Sequence, residues 1–582
     1  MPSPASPALP CAFVVGGTGS NAGKTVFTLA LLCALAQRGL CPLAAKVGPD
    51  YIDTAFHARI TARPAANLDS WMCREAGPGR SWRRPAVGLG RIFQRTLEQV
   101  QAFGGPLVIE GAMGLYDGGH EGFGSTAHVA TQLGLPVLLL LNAAGLGQSI
   151  AALAEGFLGH RPPWAEQALT FLGMVCTHVA GERHAAILRQ ALLPVADTYR
   201  VPLLGMLPRQ GAPLLPSRHL GLVEAREALP LITRASLAHW LEEHCQVETL
   251  LALLGIEPKA SAAPCREACQ ARTGLDAVFW QNQADIACAH AANQQCMRKG
   301  AINEASACAS SASADTGAAI EGILCYSGQK PHIVDSLPGK ATCADSHFFP
   351  PQRVSSRKLP LVGIAWDAAF SFCYADLPAL LAEQGARVAF FSPLHDQSPP
   401  ADCAGLYFPG GYPELHAAAL AANAPMLAAL RRLAEDGLPM YGECGGYMYL
   451  MRAVSVDGQE HALCGLLPYV CALGSTRAAL GYRAALALPG WPTKRQDRVL
   501  WVRGHEFHYA RAMPDPEASG VMTDDTVAGR PLWKIYDSQG VFLGEEGCRC
   551  GSVAGTWLHC YPEGSRRFWK AWLQALSCAN CT

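Results

Sequence analysis

The chain has 582 residues, half of them hydrophobic and only 16% charged, with a formal net charge of −1. That length exceeds one ordinary core and predicts two or more domains, while the near-neutral balance and the lack of a basic tract exclude a nucleic-acid partner. No apolar run approaches the ~20 residues a membrane helix needs and no export signal opens the chain, so the 23 cysteines read as free thiols of a cytoplasmic protein.

Residues 1–11 read as a disordered tail, and residues 12–16 as a buried strand. Gly17-Thr-Gly-Ser-Asn-Ala-Gly-Lys-Thr25 follows directly and opens a helix from Val26 to Gln37. Strand, glycine turn and helix make a phosphate loop. Backbone N–H groups of Thr18, Gly19, Ser20, Asn21, Ala22 and Gly23 wrap phosphate oxygens, Lys24 supplies a point charge, and Thr25 can ligate Mg²⁺. Thr18 stands where the standard loop has glycine. A second strand ends at Lys46, which can meet the same phosphates. After it, Gly48-Pro-Asp-Tyr-Ile-Asp53 delivers Asp50 and Asp53 on a proline-restricted loop, at the edge where a parallel sheet keeps its site. A third strand, Gly105 to Glu110, places one acid after apolar residues, the pattern of a metal-shell carboxylate. Thr25, Asp50 and Glu110 are therefore the candidate Mg²⁺ ligands; helix capping or loop solvation is the plain alternative for the acids. The synthetase-like domain is read as 12–256.

Residues 257–357 are rich in Ala, Ser, Cys and Gln without a period, and read as a disordered linker. In the stretch 358–574, a buried strand ends in Pro409-Gly-Gly-Tyr-Pro-Glu414, where the amides of Gly410 and Gly411 can form an oxyanion hole. A further strand from Pro439 leads to Gly442-x-Cys444-x-Gly446, with a helix from Met448. This is a nucleophile elbow with cysteine at its apex, and helix N–H groups aimed at the sulfur are expected to lower its pKa. His559 is the candidate base, with His505 and His508 as rivals. Residues 575–582, with the lone pair Cys578 and Cys581, read as a frayed tail.

At the elbow, the glycine turn, Asp367-Ala-Ala-Phe-Ser-Phe, Phe391-Ser-Pro-Leu-His-Asp396 and Arg503-Gly-His-Glu-Phe-His-Tyr509, the chain resembles class I glutamine amidotransferases of the cobyrinate-type branch. The phosphate loop is similar to that of dethiobiotin synthetase. Lys46 to Asp53, Asn67-Leu-Asp69, Val108 to Gly118, Gly124-Ser-Thr-Ala127 and Pro216 to Leu222 resemble the cobyrinate a,c-diamide synthase family. The resemblance implies an α/β fold of two domains, each a mostly parallel sheet flanked by helices: a phosphate-loop NTPase-like domain, then a flavodoxin-like amidotransferase domain. It implies ATP and Mg²⁺, glutamine hydrolysis at Cys444, and amidation of a corrin polycarboxylate walled by Tyr51, Asp53, Arg218 and His219. It allows a homodimer without requiring one.

Two positions depart from the pattern. Tyr561 stands where most amidotransferases carry a Glu two residues after the base, with Glu563 further on, and the orienter of His559 is left unassigned. Thr177-His178 replaces an Asn-Arg that in relatives lies near the nucleotide base, which leaves base preference open. Nothing in these motifs separates cobyrinate from hydrogenobyrinate or nickel-sirohydrochlorin, and cobyric acid synthase shares both domains. A nucleotide-switch ATPase would not need Cys444, and a regulatory protein with a dead glutaminase would not keep Cys444 with His559.

Overall fold

The computed structural model describes residues 11–75, 77, 86–165, 168–212, 234–256, 359–474, 476–492, 499–515 and 529–579. Arg218, His219 and the segment expected to be a linker lie outside them.

Leucine- and valine-rich runs build the first sheet from Ala12–Gly17 (β1), Leu43–Val47 (β2), Ala66–Leu68 (β3), Leu107–Glu110 (β4), Val137–Asn142 (β5), Phe171–Val179 (β6) and Leu203–Pro208 (β7). The order is β3-β2-β4-β1-β5-β6-β7, and every pairing is parallel. β1, β2 and β4 are buried along their whole length, as strands covered by helices on both faces must be. Alternate residues feed opposite cores: Val14, Val47, Ile109 and Leu139 on one face, Phe13, Val15, Val108 and Leu138 on the other. The helices Lys24–Gln37 (α1) and Tyr51–Thr61 (α2) begin at the carboxyl ends of β1 and β2. The ends of β1, β2 and β4 thus come together at one edge, where a doubly wound sheet binds its ligand.

In the second half, Leu361–Ala365 (β8), Arg387–Phe391 (β9), Cys403–Phe408 (β10) and Met440–Glu443 (β11) form a parallel sheet with Val553–Thr556; the short strand Cys548–Cys550 adds antiparallel at its edge. The α/β reading therefore holds for both halves. Two further sheets were not expected: a mixed four-stranded one, and a five-stranded antiparallel one that pairs Trp501–His508 with His559–Cys560.

The two halves share a core. Tyr374, Ala484 and Tyr561 of the second half belong to the same buried cluster as Val47 and Leu68 of the first. Tyr482 Oη donates to Asp69 Oδ2 at 2.6 Å, and Arg503 donates to the Trp71 carbonyl at 3.0 Å. Glu563, fully buried, is paired with Arg91 at 2.9 Å and Arg95 at 2.7 Å. At Gly564 a Cβ would lie 1.8 Å from the Met72 carbonyl oxygen, so only glycine lets the backbones approach this closely. No helix of the described residues is long and apolar enough to cross a membrane. Thirteen described cysteines, Cys444 among them, are free thiols, whereas Cys41 is disulfide-bonded.

Candidate active site

The phosphate loop is held from three sides. Thr18 Oγ1 accepts from Asn142 N–H at 3.0 Å, Asn142 Nδ2 donates to the Asn21 carbonyl, and Thr177 Oγ1 donates to the Ala22 carbonyl at 3.0 Å. Gly23, with φ +78°, turns the chain into α1, a left-handed conformation glycine adopts without strain. Ser20 and Gly19 lie on the open lip, where a Cβ added to Gly19 would meet nothing. Lys24 Nζ donates to the carbonyls of Gly19, at 2.9 Å, and Met113. Burial, with Lys46 nearby, pushes Lys24 down to about 8.

Beneath the loop lies an ionic network. Glu110 Oε1 accepts from Thr25 Oγ1 at 2.6 Å and from Lys46 Nζ at 2.8 Å, and its Oε2 meets His57 Nε2 at 2.7 Å. Lys46 also pairs with Asp53. Burial opposes charge on Glu110, but Lys46 and His57 outweigh it and hold the carboxyl well below its usual range. Asp53 goes the other way, raised by burial and by Glu110. Lys46 thus engages acids here where the sequence placed it on phosphate. His57 was passed over in the motifs; its signal was the four-residue spacing from Asp53, which puts both on one face of α2.

Asp50 is the N-cap of α2: its Oδ1 accepts from the N–H groups of Ile52 at 2.8 Å and Asp53 at 3.1 Å. The capping alternative is therefore met at one of its oxygens. For Mg²⁺, the hydroxyl of Thr25 already touches the Glu110 carboxylate, and these oxygen donors are of the kind a hard divalent cation takes along with phosphate and water. The residues fit the ion. Among the described residues no group of three or more His, Cys, Asp or Glu makes a complete cage.

In the second half, β11 runs into Cys444 at φ 49° and ψ −104°, and the helix Gly445–Leu450 follows. The helix starts sooner than Met448, directly after the nucleophile. Cys444 N–H donates to the Thr556 carbonyl at 2.7 Å. A Cβ on Gly446 would lie 2.0 Å from the Phe408 carbonyl oxygen, so the elbow packs backbone on backbone. Gly411 is beside the elbow, its nitrogen 2.9 Å from where a Gly445 Cβ would be, and Gly410 faces His559, with Cε1 2.4 Å from its own Cβ position. The glycine turn thus lies against both the elbow and the base.

One expectation is corrected. The Cys444 thiol is pushed up, not down: burial and the Glu414 carboxylate exceed the contribution of the Gly445 N–H. The helix is only six residues long, and its dipole is correspondingly weak. His559, 2% exposed, is pushed well below its ordinary value by burial and by His505 and His508, so it stays neutral. Cys444 and His559 are thus a protonated thiol and a neutral imidazole.

Of the rival bases, His508 Nδ1 donates to the Ala510 carbonyl at 2.8 Å and its ring stacks on Trp557. His505 stacks on His559, with centroids 4.8 Å apart and 12° between planes. Tyr561 Oη donates to the Asn67 carbonyl across the domain boundary, and Glu563 is taken up by arginines. Neither serves His559.

Tyr51 is not on an open substrate wall. Its ring, 9% exposed, stacks on Phe372 at 5.1 Å and touches Tyr374 at 4.5 Å, His559 at 5.4 Å and His505 at 5.7 Å. This could not be read from sequence, because it depends on how the domains dock. His178, at φ 58°, sits with its Cε1 3.8 Å from the Gly23 Cβ position, beside the phosphate loop.

Residues 13–222 match the CobQ/CobB/MinD/ParA nucleotide binding domain and residues 361–566 the CobB/CobQ-like glutamine amidotransferase domain. The chain is 31% identical to the hydrogenobyrinate a,c-diamide synthase of Sinorhizobium sp, over 94% of this chain and 97% of that one. It is 34% identical to that of Rhodobacter capsulatus, over 94% and 98%, and 32% identical to that of Brucella suis, over 94% and 97%.

Proposed function

The chain belongs to the hydrogenobyrinate a,c-diamide synthase family, and on that premise we propose how its two sites divide the work. It is a glutamine-dependent amide ligase of cobalamin biosynthesis, acting on the a and c side-chain carboxylates of hydrogenobyrinate or cobyrinate with ATP as co-substrate. The names of its relatives make the cobalt-free acid the first to test. The observation that carries the division is Tyr51: the first turn of α2, which follows the Asp50 cap and holds Asp53, touches His559, the proposed base of the glutaminase.

His559 takes the Cys444 proton as the sulfur attacks the glutamine carboxamide carbon. The oxygen gains negative charge beside the amides of Gly410 and Gly411. His559 returns the proton to the leaving nitrogen, ammonia departs, and water hydrolyses the thioester to glutamate. At the other site a side-chain carboxylate takes the γ-phosphoryl group of ATP, and ammonia attacks the acyl carbon and expels phosphate. Lys24 and the N–H groups of residues 18–23 hold the phosphates, while Lys46 keeps Glu110 ionised beside Thr25. Bound Mg²⁺, held by Thr25 and Glu110 with Asp50, would neutralise charge on the transferring group. Asp53 meets the tetrapyrrole carboxylates in this reading, and Arg218 and His219, outside the described residues, are assigned to the same substrate by resemblance alone.

The test is ADP release with glutamine and each tetrapyrrole acid in turn, with products weighed by mass spectrometry. Hydrogenobyrinate should gain two amides. Turnover of nickel-sirohydrochlorin in its place would overturn the substrate assignment.

A further inference from the structure

Among the described residues the proposed base of the glutaminase has no hydrogen-bonded orienter at Nδ1. His559 Nδ1 is buried and finds no partner among the described residues, and the two residues that could supply a third group, Tyr561 and Glu563, point into the domain boundary. An imidazole that must face a sulfur needs its ring plane fixed, and here neighbouring rings can fix it. His505 is the cross-strand partner of His559 and lies nearly parallel to it, and Tyr374 Oη hydrogen-bonds to His505 Nδ1 at 3.2 Å. Gly410, lacking a Cβ, closes on the Cε1 edge. The remaining contact comes from the other domain. The rings of Tyr51, His505 and His559 each touch the other two, at 5.7, 5.4 and 4.8 Å, a triangle and not a stack.

We propose that Tyr51 is a positioning residue of the glutaminase, through which the synthetase domain sets the His559 ring against Cys444. Tyr51 is the first residue of α2, and the residues that flank it in the chain are tied into the synthetase site. Asp50 caps the helix, Asn67 Nδ2 donates to the carbonyls of Gly48 at 2.8 Å and Asp50 at 3.0 Å, and Asp53 pairs with Lys46. Phosphate or a substrate carboxylate arriving at Lys46 competes with Asp53 for that cation, and Asp53 is two residues from Tyr51. Because packed aromatic rings shift between discrete arrangements and do not deform smoothly, a change in this loop reaches the imidazole as reorientation. Glutamine is then hydrolysed efficiently only when the synthetase site is set to use the ammonia. The inference rests on the ligase reading above.

The experiment compares full-length wild type, Tyr51→Phe and Tyr51→Ala. Glutamate release is measured with and without ATP and hydrogenobyrinate, and ADP release with ammonium as the nitrogen source. Misplacing a catalytic group by a fraction of an ångström costs roughly tenfold or more. The ratio of glutamine-dependent to ammonia-dependent turnover should fall by at least that factor in Tyr51→Ala, in kcat, and the stimulation of glutamate release by synthetase ligands should vanish. Tyr51→Phe keeps the ring and should restore both. If Tyr51→Ala does not fold, as judged by thermal unfolding, Tyr51→Leu fills the space without a flat ring and takes its place. An unchanged ratio overturns the proposal, whether both rates hold or both fall with a raised KM for the tetrapyrrole. Wild type that releases no ADP from either nitrogen source would instead overturn the ligase reading, whatever its glutamate release.

Discussion

At the scale of single residues, the site is governed by burial. The strand-to-helix turn at Cys444 was legible, because such a turn needs small neighbours and the glycines at 442 and 446 announce it. The protonation states of Cys444 and His559 were not legible. The sequence pattern speaks of helix N–H groups near the sulfur, whereas the folded chain adds desolvation and the charge of Glu414, which win. For His559 burial is the first cause, with the neighbouring His505 and His508 adding to it, and those two are themselves pushed down, His505 to about 3. A base acts while neutral, and a lowered pKa keeps it neutral to lower pH. Glutamine kcat/KM should therefore hold as pH falls through 6.5, the ordinary histidine value, and decline only below it. Glutamate release measured across pH checks this; an acid limb at or above 6.5 would mean that another group, or an exposed His559, is the base.

At the scale of elements, the segment from Gly48 to Asp53, a loop that passes into the first turn of α2, carries two functions. Asp50 ends the loop as the cap of α2, and Asp53 inside the first turn faces Lys46. Pro49 and Asp50 made the turn readable, but whether Asp50 serves the helix or a metal depends on where its second oxygen points, which spacing cannot tell. The two roles separate by substitution. Asp50→Ala removes cap and charge and should cost about 1 kcal/mol of stability, whereas Asp50→Asn keeps an N-capping oxygen and should cost only tenths. Thermal unfolding of both variants measures the cap. A magnesium titration of ADP release in Asp50→Asn then measures the charge alone: weakened Mg²⁺ dependence is expected, and an unchanged titration would leave Asp50 as a cap only.

At the scale of the whole molecule, both parallel sheets were legible, since fully buried strands read as continuous apolar runs ended by glycine turns. The antiparallel sheet carrying His505 was not, because its paired strands Trp501–His508 and His559–Cys560 are far apart in sequence. The domain interface was not legible at all. Asp69 with Tyr482, Asn67 with Tyr561 and Glu563 with Arg91 and Arg95 are each separated by hundreds of residues, and no local pattern marks one partner for the other. Yet that interface brings the two halves together, setting Tyr51 at the start of α2 against His559. The central claim is that ammonia made at Cys444 feeds amidation at the phosphate-loop site, and Cys444→Ala tests it most directly. ADP release and amide formation on hydrogenobyrinate are measured with glutamine and with ammonium in the same preparation. Loss of the glutamine-dependent reaction with the ammonium-dependent one retained is the expected result; turnover with glutamine undiminished in Cys444→Ala would contradict it.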